Sequence, residues 1–531
     1  MSACGTGVRD RSLERLSTGT FDVLVVGGGI VGARIAFEAS RSGLKVALVD
    51  AGDFGGATSS ASGKLVHGGL RYLRTGKVRL VREALRERRV LVERVAPHLV
   101  YRLPLLLASV ERGHSRYSTV VAGPFAYWVL DGFRKPAPRF ATAGEAGELV
   151  PQLRTGIPCV LLEEAMTDDG RLTLATVKAA VSAGAVTANY VRVVELERSR
   201  GTLSGAVLKR LDGEGLLTVR CRTVVNATGP WLDHLRLLED PKRKPAVRLS
   251  KGVHLVLPPE AEWRAAFTLS LDDGRHVYAV PWRGMLLLGT TDTAYEGDPG
   301  AVTPVPAEVA YLLATASRFL PEEMLRPDRV SCSFSGLRVL PRSDEGTYEA
   351  TREHVVRVGP AGMISVGGGK LTTHRLIALD ALRRLPPELR PRTLRPNLDP
   401  LPGSSPPDAR ALHVRLDAST ARHLMELYGG EAEKLLRYAT RFPDAFEKVH
   451  PEGPDIWAQV YHAADEEWAV TIEDVVRLRT TLGIRGLASD EVRARISSAL
   501  AIPSQAYHDG SPSWFQPVTE RTTFRHNLRF V

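Results

Sequence analysis

The stretch "FDVLVVGGGIVGARIAFEASRSGLKVALVD", residues 21–50, decides the fold. It predicts a buried strand, a tight glycine turn, a helix and a second strand, with Gly27-x-Gly29-x-x-Gly32 at the turn. Glycines in this pattern make the turn, admit a pyrophosphate to the positive helix end, and let helix and strand pack closely. Asp50 ends the second strand and offers a carboxylate to ribose hydroxyls. The stretch therefore predicts a dinucleotide-binding βαβ unit, for NAD or the adenosine half of FAD rather than NADP.

The composition is that of an ordinary globular protein, with 531 residues, 44% of them hydrophobic, and a formal net charge of +10. Over this length the charge indicates a solvated basic surface, or attraction to an anionic substrate or lipid headgroups. The sequence has no aromatic-interleaved basic patch, which argues against nucleic acid. The longest apolar run, residues 120–130, is too short to span a bilayer. Widely spaced cysteines without a CxxC pair argue against a metal centre or disulfide framework and fit a reducing cytoplasm: Cys4, Cys159, Cys221 and Cys332.

Composition and patterning divide the chain into four parts. Residues 1–20 are polar and predict a flexible leader. Residues 21–385 predict an α/β, Rossmann-type nucleotide-binding domain interleaved with a substrate-binding domain, whose antiparallel β-sheet falls at roughly 245–335. The proline-rich stretch 386–408 predicts a linker, and 409–531 predicts a helical C-terminal domain.

Three later segments favour FAD over NAD. "VVNATGPW" (224–231) is a buried strand ending in Ala-Thr-Gly, and in flavoproteins of the two-dinucleotide fold such a strand returns to the adenine end of FAD. "GGGKLTTHR" (367–375) predicts another glycine turn opening a helix, whose N-terminus with Lys370 suits a flavin that carries negative charge when reduced. "SGLRVL" (335–340) places Arg338 at a strand end between these segments. A lone arginine is usually a surface charge, but this position favours a site.

With these segments in hand, the chain resembles the FAD-dependent glycerol-3-phosphate dehydrogenases, which feed electrons from glycerol 3-phosphate to quinone. The matching segments run in family order over most of residues 21–380 and include "GDFGGATSSASGKLVHGGLRYL", "KGVHLVL" and "PWRGMLLLGTTDT". The run ending in "KLVHGGLRYL" is highly specific, whereas the glycine loop alone is not. The resemblance implies FAD as cofactor, bound by Gly27, Gly29, Gly32, Asp50, Thr58, Ser59, Lys64, His67, Thr228, Gly229, Gly369, Lys370, Leu371 and Thr372.

The resemblance also implies where the substrate binds. The HGGLRYL segment would lie under the flavin and line the substrate pocket. Arg71, Arg338 and Lys370 would supply positive charge for the phosphate or the substrate oxygens, and Tyr72 a hydroxyl contact. Arginine suits a phosphate because its planar fork donates two parallel hydrogen bonds.

The implied chemistry is the oxidation of a secondary alcohol, which removes the hydroxyl proton and delivers a hydride to flavin N5. Histidine is a suitable base because its ordinary pKa is close to neutral pH. His254 is the predicted base, and His67 is the second candidate. Either could instead be a hydrogen-bonded histidine of the protein core without a catalytic role. Arg338 and Lys370 would stabilise the developing alkoxide.

The resemblance implies a peripheral enzyme on the inner face of the cytoplasmic membrane, which oxidises sn-glycerol 3-phosphate to dihydroxyacetone phosphate and reduces quinone. The basic excess and the tail 514–531, which mixes arginines with phenylalanines, favour membrane docking. A homodimer is a further expectation. Three alternatives stay open: an oxidase that makes hydrogen peroxide, an amine- or 2-hydroxy-acid-oxidising flavoenzyme of the same broader fold, and a non-catalytic flavin protein that docks a partner through its helical domain.

Overall fold

The computed structural model describes residues 8–73, 76–109, 118–271, 275–342, 353–395 and 397–500, with the backbone of 515–516. The strands, in chain order, are β1 (Thr20–Val26), β2 (Val46–Val49), β3 (Val100–Ser109), β4 (Arg139–Phe140), β5 (Val160–Thr167), β6 (Val186–Ala188), β7 (Val191–Ser199), β8 (Thr202–Arg210), β9 (Leu216–Asn226), β10 (Val247–Leu257), β11 (Ala266–Ser270), β12 (His276–Trp282), β13 (Met285–Gly289), β14 (Thr293–Tyr295), β15 (Cys332–Pro341), β16 (His354–Val358), β17 (Ile364–Gly368) and β18 (Phe515–Gln516).

The α-helices of the same residues are α1 (Val8–Thr18), α2 (Ile30–Arg41), α3 (Val78–Val90), α4 (Gly123–Leu130), α5 (Ala143–Leu149), α6 (Asp169–Ser182), α7 (Leu232–Glu239), α8 (Pro306–Ala316), α9 (His374–Arg383), α10 (Ala409–His413), α11 (Ala418–Tyr428), α12 (Trp457–Glu466), α13 (Ile472–Asp474) and α14 (Asp490–Leu500). Among the described residues, no helix combines the length and the apolar character needed to cross a bilayer.

The first sheet carries the predicted dinucleotide-binding unit. Its strand order is β16-β17-β9-β1-β2-β6, and β1 pairs in parallel with both β2 and β9. Helices α2, α6 and α9 pack on one face, where Val23 and Val25 of β1 are buried. Leu24 and Val26 are buried on the other face. Burial on both faces explains why β1 is a continuous apolar run.

The predicted flexible leader over 1–20 is wrong for residues 8–18, which form α1. Leu13 and Leu16 lie on one face of this helix and are buried against the first sheet. The guanidinium of Arg9 donates to the side chain of Asn189 over 3.0 Å and pairs with Asp212 over 2.7 Å. A short polar sequence therefore folds because two leucines and one arginine find partners that lie far away in the chain.

The predicted substrate sheet exists, but it is larger than residues 245–335 and not wholly antiparallel. Strands β10 to β13 and β15 form antiparallel pairs, while β11 pairs in parallel with β3. β3 in turn pairs with β5, so residues 100–109 and 160–167 belong to this sheet. β15 runs on to Pro341. The earlier strands were missed because nothing local shows that β3 pairs with β11, about 160 positions later, or that β5 pairs with β3.

The C-terminal region is helical from 409 to 500, as predicted. The stretch 386–408 has no helix or strand among its described residues, as expected of a linker, yet Leu389 and Leu401 are buried in the core of the nucleotide-binding domain. The backbone of Phe515–Gln516 pairs with β15. Apart from that backbone, the predicted membrane-docking tail lies outside the described residues.

Candidate active site between the two sheets

The glycine turn that follows β1 is shaped to bring helix α2 against the strand. Gly27 has a φ of +105°, which side-chain-bearing residues rarely adopt. A Cβ at Gly32 would overlap the carbonyl oxygen of Gly27, so the helix can pack only on a glycine. The amide of Ile30, in the first turn of α2, donates to the hydroxyl of Ser59 over 3.0 Å. The structure thereby brings the predicted cofactor residues Gly27, Gly32 and Ser59 together.

Asp50 lies directly against this turn. Its carboxylate accepts hydrogen bonds from the amides of Gly28 over 2.5 Å and Gly52 over 2.8 Å. Burial raises the pKa of Asp50 to about 6. A carboxylate therefore stands at the end of β2, where the sequence predicts a contact with ribose.

The segment after β2 connects the turn to the second sheet. The hydroxyl of Thr58 donates to the carbonyl of Leu337 over 2.8 Å. The ammonium of Lys64 is buried, donates to the carboxylate of Asp169 over 2.6 Å and lies 4.3 Å from the centre of the Trp282 ring. Lys64 thus forms a buried ion pair in this structure, and its contact with the cofactor stays a prediction.

The HGGLRYL segment lies next to the third glycine turn. The hydroxyl of Thr372 donates to the carbonyl of His67 over 3.1 Å. The ammonium of Lys370 lies 3.8 Å from the centre of the buried Tyr72 ring. Arg71 lies in the same short turn, Leu70–Leu73, and its side chain is outside the described part of the chain. The structure therefore unites Tyr72 and Lys370, as the substrate prediction requires.

His254 lies on β10 and is almost fully buried. It pairs across the sheet with Gly289 and Phe334, and its imidazole stacks on the Phe334 ring with centres 5.1 Å apart. Within the described residues, no hydrogen-bond partner reaches its Nδ1. Burial, then Arg338 and then Lys64, holds the pKa of His254 well below its usual value of 6.5. The imidazole is therefore neutral at physiological pH.

Arg338 lies beside His254. Its guanidinium donates to the hydroxyl of Thr290 over 2.9 Å and to the carbonyl of Thr291 over 3.0 Å. A Cβ at Gly252 would overlap this guanidinium, so Arg338 lies over the backbone of β10 two residues before His254. The cation is thus fixed in place on the face of the sheet that also carries the histidine.

The three predicted cofactor segments begin where neighbouring parallel strands end. β17 pairs with β9 and β9 with β1, all in parallel, so their carboxyl ends share one edge of the sheet. Gly27 follows β1, Thr228 and Gly229 follow β9, and Gly369 and Lys370 follow β17. Gly229 has a φ of +55° and Gly369 one of +94°. Ligands of open α/β sheets bind at this edge.

Comparison with known proteins decides the family. Residues 22–375 match the model described as FAD dependent oxidoreductase, and residues 399–503 match the C-terminal domain of alpha-glycerophosphate oxidase. The aerobic glycerol-3-phosphate dehydrogenase of Escherichia coli K12 is 34% identical over 88% of this chain and 94% of its own length. The chain belongs to the family of FAD-dependent glycerol-3-phosphate dehydrogenases. The predicted family, α/β fold with helical C-terminal domain, oxidoreductase class and FAD cofactor are therefore confirmed.

Two further relatives agree with this assignment. The glycerol-3-phosphate dehydrogenase of Pseudomonas aeruginosa is 36% identical over 89% of this chain and 94% of its own length. A crystal structure of the glycerol-3-phosphate dehydrogenase from Bacillus halodurans, complexed with FAD, superimposes with a TM-score of 0.76 at 27% identity. That superposition covers 94% of this chain and 95% of the other.

The residues of this dehydrogenase-family site fit an FAD molecule. Helix α2 begins at the Gly27 turn, so its N-terminus would suit a pyrophosphate, and Asp50 would offer its carboxylate to a ribose. The third glycine turn, at Gly368 and Gly369, has positive φ at both positions and opens a helical turn beside Lys370. A dinucleotide with a flavin ring therefore has its expected acid, amides and cation along one sheet edge.

Three residues of the site escaped the sequence analysis. Thr290 and Thr291 hold Arg338, and the only local signal was the pair of threonines after the apolar strand β13. Tyr127 contacts the HGGLRYL segment by accepting a hydrogen bond from the amide of Gly68 over 2.7 Å. No sequence signal connects Tyr127 to a segment 59 residues earlier.

Proposed function

We propose that the chain oxidises sn-glycerol 3-phosphate to dihydroxyacetone phosphate with FAD and passes the electrons to a quinone. The observation that carries this proposal is the pairing of a neutral, buried His254 with the fixed guanidinium of Arg338 on one face of the second sheet. An alcohol that also carries a phosphate needs both a base and a cation. The names of the relatives, all glycerol-3-phosphate dehydrogenases, support the same substrate.

The chain's own residues perform the binding and the proton transfer in this proposal. Arg338, with Lys370 and Arg71, holds the phosphate and the substrate oxygens. His254, which burial keeps neutral, accepts the hydroxyl proton. Bound FAD supplies the acceptor for the hydride that leaves the substrate carbon. Positive charge from Arg338 stabilises the oxygen as it loses its proton.

We propose further that the protein docks peripherally on the inner face of the cytoplasmic membrane through α4 and α3. Phe125 and Val129 of α4 and the nearby Phe133 are exposed apolar residues, with Phe133 58% exposed. Arg82 and Arg86 are exposed on α3, which packs beside α4. Apolar side chains next to basic ones suit a bilayer with anionic headgroups, where quinone is also dissolved.

Steady-state assays with purified, FAD-loaded protein test the substrate and the acceptor together. We expect sn-glycerol 3-phosphate, but not glycerol, to reduce a short-chain quinone under argon. Arg338→Met should raise the KM for the phosphate ester, since it removes the cation without removing bulk. Oxygen uptake with peroxide formation would favour the oxidase, and turnover of amines or 2-hydroxy acids alone would refute the substrate.

A sedimentation assay tests the membrane contact separately. The wild type should pellet with vesicles of one-third anionic lipid at low salt, and Phe125→Ser with Phe133→Ser should weaken this. Leu216→Ser, at the exposed start of β9 and far from α4 in sequence, is the matched control. Equal binding by all variants would refute α4 as the contact. The predicted homodimer is checked by light scattering of the same preparations.

A further inference from the structure

Behind the HGGLRYL segment lies a buried polar cluster that the proposed chemistry does not use. It consists of Arg88 on α3, Tyr127 and Asp131 at α4, and Glu164 on β5, all at most 5% exposed. The guanidinium of Arg88 donates to Glu164, to Asp131 over 2.9 Å and to the hydroxyl of Tyr127 over 3.2 Å. Four buried polar side chains linked through Arg88 hold three separate elements in one arrangement.

The hydroxyl of Tyr127 stands at the edge of this cluster nearest the active site. It donates to the carboxylate of Glu164 over 2.6 Å, because an ionised carboxylate can only accept. Burial and the neighbouring Glu164 raise the pKa of Tyr127 well above its usual value, so the hydroxyl keeps its proton. The hydroxyl oxygen accepts a hydrogen bond from the amide of Gly68 over 2.7 Å. The direction of each hydrogen bond is therefore fixed.

The amide of Gly68 belongs to the same peptide unit as the carbonyl of His67. That carbonyl accepts from the hydroxyl of Thr372, in the third cofactor segment, over 3.1 Å. One peptide plane of the active-site loop is thus held at both ends, by Thr372 and by Tyr127. A Cβ at Gly68 would meet the Tyr127 hydroxyl at 2.5 Å, so the loop backbone and this side chain are in close contact.

We infer that Tyr127 is a positioning residue, which fixes the His67–Gly68 peptide and thereby the placement of Tyr72 and Lys370. The next residue, Gly69, lies close to Lys370, since a Cβ built there would lie 3.0 Å from the Lys370 ammonium. A small rotation of this peptide would move the groups that face substrate and flavin. Misplacements of about 1 Å cost on the order of a hundredfold in rate. The inference rests on the proposed function for its kinetic consequence, but not for its structural one.

The test compares Tyr127→Phe with Tyr461→Phe. Both changes remove only a hydroxyl that donates to a carboxylate, since Tyr461 donates to Asp444 over 2.9 Å in the C-terminal domain. Three readouts apply to FAD-loaded protein well below its melting temperature. They are hydrogen exchange of peptides covering residues 66–70, visible circular dichroism of the bound flavin, and the anaerobic rate of flavin reduction by sn-glycerol 3-phosphate.

In Tyr127→Phe we expect faster exchange at residues 66–70, an altered flavin dichroism and a reduction rate lowered about tenfold or more. Tyr461→Phe should match the wild type in all three, even where both variants lose similar melting temperature. Faster exchange with unchanged dichroism and an unchanged reduction rate would overturn the inference, because Tyr127 would then have only a structural role.

Two further outcomes stay decisive. If the substrate does not reduce the wild-type flavin, the proposed function has failed. Hydrogen exchange at residues 66–70 and the flavin dichroism then decide by themselves whether Tyr127 is a positioning residue. If Tyr127→Phe does not fold, Glu164→Gln replaces it, because this change weakens the group that orients the hydroxyl. Wild-type exchange and dichroism in Glu164→Gln would then overturn the inference.

Discussion

At the scale of single residues, the burial of His254 beside Arg338 sets the pKa of its imidazole. A histidine with a cation beside it and no water around it cannot easily take up a proton. The pKa of His254 is therefore well below 6.5, with burial as the first cause and Arg338 as the second. The ring therefore stays neutral at physiological pH, and the cation that depresses its pKa lies on the same face of the sheet.

The first prediction concerns His254→Asn. We expect the rate of flavin reduction by sn-glycerol 3-phosphate to fall by about 10²–10⁴, the usual contribution of a positioned base. Anaerobic stopped-flow absorbance measures it, with FAD content confirming that the variant is loaded. His67→Asn, tested alongside, should have the smaller effect. An unchanged rate in His254→Asn with a large loss in His67→Asn would reverse the assignment.

The second prediction concerns the pKa of Asp50, which burial raises to about 6 in the FAD-free chain. The folded state then holds this proton more tightly than the unfolded state does, so the carboxyl lowers stability as pH rises from about 4 to 6. Ribose hydroxyls donate to the ionised form, so FAD affinity should rise over the last part of that range and level off above pH 6. Fluorescence titration of the FAD-free protein measures it.

Asp50→Asn is the control for this pH dependence. The amide oxygen still accepts a hydrogen bond but does not titrate, so FAD affinity should be weaker and nearly independent of pH between 5 and 7. If Asp50→Asn shows the same pH dependence as the wild type, another group controls binding and the role of Asp50 is wrong.

At the scale of elements, the βαβ unit depends on one close contact between a helix and a strand. Gly32→Ala would place a methyl group on the carbonyl of Gly27. We expect the variant to lose FAD on gel filtration, because α2 must move away from the pyrophosphate position. Gly144→Ala, in helix α5, meets nothing within 4 Å and should keep its FAD. Full retention of FAD by Gly32→Ala would contradict this account of the turn.

The same scale shows which elements could be predicted from sequence. Strand β1 and helix α2 are adjacent in the chain, and their apolar periodicity and glycines are local signals. Strand β3 pairs with β11, more than 150 residues later, β5 joins the same sheet through β3, and α1 becomes stable only through burial of Leu13 and Leu16. Those elements depend on tertiary contacts, which a local pattern cannot contain.

The candidate site divides in a similar way. The glycines and Asp50 follow from local chemistry, and Arg338 and Lys370 were named from their places in the glycine-turn and strand segments, while His254 was named only through the family resemblance. Thr290, which accepts a hydrogen bond from Arg338, and Tyr127, which accepts one from Gly68, carry no motif of their own. Their identity becomes visible only when hydrogen bonds can be read directly.

At the scale of the whole molecule, buried ion pairs join the helical domain to the nucleotide-binding domain. The guanidinium of Arg479 donates to both carboxylate oxygens of Asp53, over 2.7 and 2.8 Å. Arg171 of α6 donates in the same way to Glu467, which also pairs with Lys178 over 2.8 Å. Asp53 lies three residues after Asp50, so the helical domain contacts the segment that follows strand β2.

The prediction at this scale is that Arg479→Leu costs about 3–5 kcal/mol of stability, because it leaves Asp53 buried without its cation. Thermal melting measures the loss. Arg326→Ala is the control, since its pair with Asp328 is 65% and 51% exposed and is screened by solvent, so its melting temperature should stay close to that of the wild type. Equal melting temperatures for the two variants would mean that the interdomain pair does not stabilise the fold.

The central claim is that this chain oxidises sn-glycerol 3-phosphate with a bound flavin. An anaerobic absorbance titration of the purified, FAD-loaded protein tests it most directly. We predict that the flavin absorbance bleaches promptly on addition of sn-glycerol 3-phosphate and that dihydroxyacetone phosphate appears in equal amount. A flavin that stays oxidised with this substrate but bleaches with dithionite would contradict the claim, and Arg338 and Lys370 would then bind a different anion.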